Sequence, residues 1–494
     1  MKCSKKALIP EPVPAIWVKM AAVINRISKG GGLIKLPQKY INDKEVNDVK
    51  LKWSRFVFWI EYENSDKIIA RNTLTTSTVR LTGRLKREID EITNNGQSNI
   101  TGSYLGDYIN ELVKMEMLVP AELNEKLKYK ELFHKARLDD KTFGIYLVLT
   151  RNCQLACPYC FERGIEKHKS MSIQIADEIV NWCDAYLGNH AGCNKLRVVL
   201  YGGEPLLNKK TIRFILPKLH TIAKQKNLAL ELGIMTNGEF FDKEIASFLN
   251  GCNLDRVQIT LDGYGKVHDL RRFRKDGKGT FDKISKNILS SINQGFVKKI
   301  HLRVNFDRQN VDLIPQLFDF LAENKLQDKI EFSFGIVAPT ICGDMGKRAP
   351  DSYLNEFGLS FSESADKYLW LCKEAKKRGF VIPQEYLVGP WCTARAINSA
   401  TIEPDGALLK CISTVGRDGF SFGNIDSTAN TDDAKFMDFS YLDKCLSEDC
   451  PFVPICGGGC RFDAYVTIGS LLEPYCRREL VEKINKGLVK LNFE

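Results

Sequence analysis

At 494 residues the chain exceeds what one hydrophobic core usually holds, so two or three domains are expected and a small disulfide-stapled scaffold is excluded. An apolar fraction of 44% and a charged fraction of 27% exclude wholesale disorder and collagen-like or membrane-embedded classes. The net charge is modest, 71 basic against 61 acidic residues or +10.

Residues 1–50 hold ten Lys/Arg against four Asp/Glu and read either as a surface for an anionic partner or as a solvated terminus. Pro10, Pro12, Pro14 and Lys19 interrupt the apolar core that a secretory signal needs, so export is not expected and the cytoplasm is. No run approaches the roughly 20 apolar residues of a transmembrane helix. Sixteen cysteines in a reducing compartment serve as metal ligands or catalysts more often than as disulfides.

Residues 55–71, RFVFWIEYENSDKIIAR, predict two strands around a polar ENSD turn, and helices follow over 84–94 and 104–117, which makes 51–135 a small α+β domain. Over 140–340 apolar strands alternate with amphipathic helices. The strands are expected at 144–150, 196–201, 230–235, 256–261, 299–306 and 329–337. Six βα units in a row imply a parallel sheet with helical crossovers, either an open sheet or a partial barrel, with chemistry at the carboxyl ends of the strands. Residues 341–387 form a bridging helical region. Residues 388–494 change character, with seven cysteines, a GGG run and several prolines. They read as a loop-rich region organised by metal rather than by a core, closed by a helix.

Immediately after the first of these six strands comes RNCQLACPYCFE, which spaces Cys153, Cys157 and Cys160 as C-x3-C-x2-C. Three thiolates on one loop suit three irons of a [4Fe-4S] cube and leave the fourth open to another ligand. Zinc is the alternative, but structural zinc takes four protein ligands and no fourth His or Cys lies close in sequence.

The trio, with Tyr159 before its last cysteine, is followed by YGGEP at 201–205, MTNG at 235–238, TLDG at 260–263 and RVN at 303–305. Over residues 143–337 this resembles the radical S-adenosylmethionine superfamily. The resemblance implies a partial (β/α)6 barrel whose open iron chelates the methionine moiety of S-adenosylmethionine. It places Tyr159, Gly202, Gly203, Glu204 and Asn237 in the cofactor site. Glu204 would accept from the ammonium, Thr260 and Arg303 would meet the carboxylate, and Asp262 or Asn305 the ribose. The residue types suit these tasks, since glycines permit close backbone approach and a carboxylate accepts from an ammonium.

Downstream, Cys392 precedes Gly406 by fourteen positions, Cys411 follows it by five, and Cys445, Cys450, Cys456, Cys460 and Cys476 complete a set that resembles the SPASM extension. That resemblance implies two auxiliary [4Fe-4S] clusters, three in all. Cys392, Cys411 and Cys460 would hold the first, with Cys372, an oxygen ligand or substrate as its fourth. Cys445, Cys450, Cys456 and Cys476 would hold the second. The chain departs from the pattern at Ser447, where the family has a cysteine, so Cys445 must substitute. Thiolate spacing alone leaves a pair of zinc sites as the alternative. Cys183 and Cys252 are expected as core fillers. Cys342 lies on the loop after the sixth strand, Cys3 and Cys193 carry no signal, and His268 is expected to be structural.

Residues 55–120, with RNTL and the Leu118, Val119, Pro120 segment, resemble the leading domain of SPASM peptide maturases, a winged-helix-like module that grips a precursor's leader. A domain that only packs over the barrel is the alternative. The expected architecture is therefore an α/β protein: a partial (β/α)6 radical SAM barrel, a small N-terminal α+β domain and a loop-rich C-terminal SPASM domain. The resemblance implies an oxidoreductase that modifies a precursor peptide. Its partners would be that peptide and a low-potential electron donor such as flavodoxin or ferredoxin, with neither nucleic acid nor membrane. An anaerobic sulfatase maturase is the rival, weakened by Ile412, which stands where that family has an aspartate base. A non-catalytic iron–sulfur sensor is a third reading, against which GGEP and the other strand-end motifs speak.

Overall fold

The structure is a computed structural model that describes residues 49–95, 104–162, 165, 168–337, 351–387, 392–426 and 437–493. The expectations for residues 1–48, Cys3 and Cys342 lie outside the described residues.

Strands β1 (Leu51–Trp53), β2 (Val57–Glu61), β3 (Lys67–Asn72), β4 (Thr78–Thr82) and β5 (Leu118–Pro120) belong to the small domain. β2, β3 and β4 form an antiparallel sheet in that order, while β1 pairs antiparallel with β5. Helices Gly83–Asn95, Tyr104–Lys114 and Glu125–Arg137 complete it. Its sheet packs on the C-terminal cysteine region: Phe58, Ile60 and Ile69 bury against Phe452, Ile455 and Val481, and Phe56 shares a cluster with Tyr129, Phe439 and Tyr441. Arg55 donates to the Leu446 carbonyl at 2.7 Å and pairs with Asp449, and Thr73 donates to the Pro451 carbonyl at 2.5 Å.

The six expected central strands are β6 (Thr142–Thr150), β7 (Lys195–Gly202), β8 (Ala229–Thr236), β9 (Leu254–Thr260), β10 (Ile300–Phe306) and β11 (Ile330–Ile336). All are parallel and lie side by side in chain order, with Ile145 opposite Val198, Val198 opposite Leu232 and Leu302 opposite Phe332. Buried apolar residues alternate along them, as at Leu196, Val198 and Leu200 or Ile330, Phe332 and Phe334, so that one face packs into the core while the other stays partly open. The covering helices carry their apolar residues at three- and four-residue spacing. Helix Ile173–Asn189 buries Ala176, Ile179, Val180, Cys183 and Leu187, and Ser172 caps it by accepting from the Ile175 N–H.

The sheet does not close on itself, because the free edge of β6 pairs with a strand from the cysteine-rich region. β12 (Ser399–Ile402) runs parallel to β6, and β13 (Ala407–Leu409) and β14 (Ser421–Asn424) extend it antiparallel to give nine strands. The segment read as loop-rich thus supplies three strands to the main sheet, and helices Tyr441–Ser447, Arg461–Ile468 and Arg478–Phe493 follow. Strands of three or four residues carry too little alternation to be seen in sequence.

Candidate functional site

The loop after β6 carries the cysteine trio, and backbone contacts fix its start. Gly203 N–H donates to the Thr150 carbonyl at 3.0 Å and Glu204 N–H to the Asn152 carbonyl at 2.8 Å, so GGE lies against the residues just before Cys153. A side chain could not fit there. A Cβ on Gly202, whose φ is +138°, would stand 2.2 Å from the Thr150 oxygen, and one on Gly203 2.6 Å from the Asn152 oxygen. On its other side the loop pairs with the segment after β9, where Ala156 N–H meets the Phe273 carbonyl at 2.8 Å and Lys275 N–H the Gln154 carbonyl at 2.9 Å.

Glu204 is fully buried. Its Oε1 accepts from Leu206 N–H at 3.0 Å and from Thr236 Oγ1 at 2.7 Å, and its Oε2 from Asn237 N–H at 2.7 Å. Burial outweighs these bonds and pushes its carboxyl up to about 7. Asn237 Nδ2 stands 3.8 Å from Cys153 Sγ. Gln154 Nε2 joins Asn237 Oδ1 at 3.3 Å and Glu239 at 2.7 Å, and Glu239 pairs with Arg274 at 2.5 Å.

Tyr159, Asp262, Asn305 and Arg303 form one hydrogen-bonded chain across the ends of β9 and β10. The Tyr159 hydroxyl donates to Asp262, whose other oxygen accepts from Asn305 N–H at 2.9 Å; Arg303 Nε donates to Asn305 Oδ1 at 2.9 Å. Both oxygens of the fully buried Asp262 are thereby engaged. Thr260 is buried beside them at the end of β9. His268 is structural, as expected: it is fully buried, accepts from Asp262 N–H at 3.2 Å and meets Thr280 Oγ1 at 3.0 Å.

Two arginines that the sequence left unremarked complete the mouth. Arg272 Nη1 donates to the Tyr159 hydroxyl at 3.0 Å and its charge reaches Cys153, Cys157 and Glu204. The fully buried Arg271 stacks 4.8 Å from the Tyr159 ring centre and donates to Asp307 at 2.7 Å. Tyr201, buried with its hydroxyl 3.0 Å from Glu162, has both Cys160 and Cys411 among its electrostatic neighbours and so lies between the trio and the C-terminal cysteines. Arg151 grips Glu403 through two contacts of 3.0 Å, and Glu403 accepts from Gly416 N–H at 2.6 Å, tying the trio's strand to the loop after Cys411.

Burial pushes the Cys153 thiol up to about 12 and raises those of Cys157 and Cys411, so without a cation these groups stay protonated at neutral pH. A bound metal reverses that balance, and three thiols on one loop fit an iron–sulfur cluster as donors.

The C-terminal cysteines form two neighbourhoods. Cys392, Cys411 and Cys460 share one apolar cluster with Phe462 and Phe420. Cys445, Cys450, Cys456 and Cys476 influence one another electrostatically, with Cys445 in the company of the other three despite Ser447. Cys372 belongs to neither, being sealed in the main core on helix Phe361–Lys377. Cys183 lies in that core and Cys252 packs against it, while Cys193 donates to the Asp140 carbonyl at 2.9 Å. Among the described residues no three His, Cys, Asp or Glu side chains stand at the spacing of a single bound metal ion. No described helix is long and apolar enough to cross a membrane.

Parallel strands, a cysteine trio at their carboxyl ends and a carboxylate set behind GGE define the class. Residues 147–321 match the model of the Radical SAM superfamily, which makes this segment a radical SAM domain. Fe-coproporphyrin III synthase of Methanosarcina barkeri is 30% identical over 189 residues, 38% of this chain and 43% of that protein. The radical SAM cyclopropyl synthase TigE of Paramaledivibacter caminithermalis is 22% identical over 74% of this chain and 78% of its own. A cysteine-type anaerobic sulfatase-maturating enzyme of Clostridium novyi is 25% identical over 63% of this chain and 85% of its own. The chain thus spans less than half of the first relative and most of the other two. The fold is similar to that of anSMEcpe with bound AdoMet, with a TM-score of 0.55 and 19% identity over 71% of this chain and 99% of that one. It is also similar to Streptococcus suis SuiB bound to S-adenosylmethionine, with a TM-score of 0.50 and 16% identity over 86% of this chain and 99% of that one.

Proposed function

We propose that the protein is a peptide maturase that uses S-adenosylmethionine and three [4Fe-4S] clusters to crosslink or oxidise a residue of a ribosomally made precursor. Residues 51–135 serve as the peptide-recognition module, 140–340 as the radical SAM barrel, 341–387 as a bridge and 388–494 as the SPASM domain. The observation that carries the reading is the grouping of ten cysteines into one trio at the barrel mouth and two neighbourhoods around β12, β13 and the helices that follow.

When bound, the reduced trio cluster and the nucleotide supply a one-electron cleavage to methionine and a hydrogen-abstracting 5'-deoxyadenosyl radical. The chain does the rest. Glu204 keeps an acceptor position on Oε2, whose single partner among the described residues is Asn237 N–H, for an incoming ammonium. Gly202 and Gly203 let backbone approach the trio. The Tyr159–Asp262–Asn305 chain holds β9 and β10 at fixed separation, while Arg272 brings positive charge to the thiolates. Among the described residues β2 and β4 are the outer strands of the three-stranded sheet, the edges to which an extended leader would add main-chain hydrogen bonds. A low-potential flavodoxin or ferredoxin would supply the electron, and a reducing cytoplasm suits the clusters.

The sulfatase-maturase reading draws support from a relative matched over 85% of its length. Against it, Ile412 stands where that family has its aspartate, and packs on the apolar cluster of Val148, Tyr201, Leu409 and Val415. Anaerobic reconstitution followed by reduction with S-adenosylmethionine tests the first step through release of 5'-deoxyadenosine. A cysteine-containing sulfatase peptide then separates the two enzymes: formylglycine selects the maturase of sulfatases. Loss of two hydrogens from a co-expressed short candidate precursor peptide selects the crosslinking reading. No 5'-deoxyadenosine at all leaves the sensor.

A further inference from the structure

We propose that Arg395 and Arg461 are the shared counter-charge of the two C-terminal cysteine groups, setting how readily the clusters held there accept an electron. The inference rests on reading those groups as cluster ligands and adds to it two positioning residues.

Arg395 is 1% exposed and Arg461 4%. Every acceptor they meet is a neutral carbonyl. Arg395 Nη2 donates to Gly459 O at 2.5 Å, and Arg461 Nη1 spans Leu471 O at 2.9 Å and Glu473 O at 2.8 Å, with its Nη2 on Gly458 O. Arg395 Nη1 and Arg461 Nε are buried without a hydrogen-bond partner, and among the described residues neither side chain has a carboxylate ion pair. The nearby carboxylate Asp463 is engaged by Arg477. Both guanidinium groups lie over the ring of the fully buried Tyr441, with Arg395 Cζ 5.4 Å and Arg461 Cζ 3.7 Å from its centre. Arg137, donating to the Cys392 carbonyl at 3.5 Å, adds a third buried cation.

Like charges gathered out of water are strongly unfavourable unless an anion faces them. The candidates are the thiolates: Arg461 interacts with Cys460 of one group and Cys445 of the other, and Arg395 with Cys456. A thiolate-ligated iron–sulfur cube is anionic, and its potential rises with neighbouring positive charge and N–H donors. Arg461 therefore acts on both groups, and Arg395 acts on the second while its backbone N–H, donating to the Cys392 carbonyl at 3.0 Å, seats it beside the first.

The test is a redox titration of the anaerobic full-length protein, followed by electron paramagnetic resonance with iron and sulfide analysis. Arg395→Gln and Arg461→Gln are expected to move the auxiliary potentials to more negative values. Arg395→Lys should restore most of the shift, and the signal of the Cys153, Cys157, Cys160 cluster should stay in place. Full iron with unmoved potentials in both Gln variants overturns the proposal. Should the Gln variants fail to assemble clusters, thermal midpoints of Arg395→Met decide. A rise in the iron-free protein with a fall in the loaded one supports the counter-charge, and the same change in both states overturns it. A wild type holding no iron beyond that lost on mutating the barrel trio instead refutes the cluster reading itself, and this inference with it.

Discussion

At the barrel mouth the buried arginines are answered by the polypeptide. Arg271 donates to Asp307 at 2.7 Å and Arg151 holds Glu403 at 3.0 Å, both carboxylates. In the C-terminal region Arg395 and Arg461 find only carbonyls and the face of Tyr441. The first region sits on six parallel strands, five of them flanked by paired neighbours on both sides; the second has short elements joined by loops around two thiol groups. A site whose charges balance within the chain is complete before its cofactor arrives. A site with buried cations and no acid facing them relies on what it binds.

The largest test of that contrast is iron removal. Chelation under anaerobic conditions is expected to raise amide exchange across 392–426 and 437–476 by on the order of a hundredfold or more, while β6 to β11 stay protected. Equal loss in both regions would break the comparison. Next, Cys153→Ala, Cys157→Ala and Cys160→Ala together should abolish 5'-deoxyadenosine release and leave the C-terminal iron in place, read by product chromatography and metal analysis.

A smaller effect is expected where the two regions join. Glu403→Ala strands Arg151 in a site where the pair is 9% and 4% exposed, which should cost about 3–5 kcal/mol in thermal or denaturant unfolding. Adding Arg151→Met should recover much of it. The least is expected at the far end of the sheet, where burial raises the Glu231 carboxyl but Arg197 and Lys195 outweigh it and hold it at about 2. A depressed acid stabilises the fold above its unfolded value near 4.3 and loses that contribution as pH falls through its folded value. Glu231→Gln should therefore lower stability by roughly 2 kcal/mol at pH 7, with the difference fading as pH drops below about 4.

The central strands were legible because each combines an apolar run with a turn signal. GIYLVLT, expected at 144–150, lies within β6 at Thr142–Thr150, and LRVVLY within β7. The cysteine trio and GGEP were legible as local spacings. What escaped was set by distance along the chain. SATI at 399–402 is too short to announce a strand and finds its place only beside β6. Arg151 and Glu403, 252 residues apart, look like ordinary surface charges until the fold buries them together. Arg272 in the run DLRR, Gln154 inside the cysteine loop and Arg461 next to Cys460 carry no period or motif that separates a buried arginine or amide from a solvated one. Cys372, offered as a fourth cluster ligand, was excluded only by its place in the main core.

The most direct measurement is electron paramagnetic resonance of the reduced protein with and without S-adenosylmethionine, alongside its iron content. The nucleotide is expected to perturb one cluster signal out of three, and the triple cysteine variant to lose that signal together with about a third of the iron. A spectrum indifferent to the nucleotide, or zinc in place of iron on the loop after β6, would contradict the assignment.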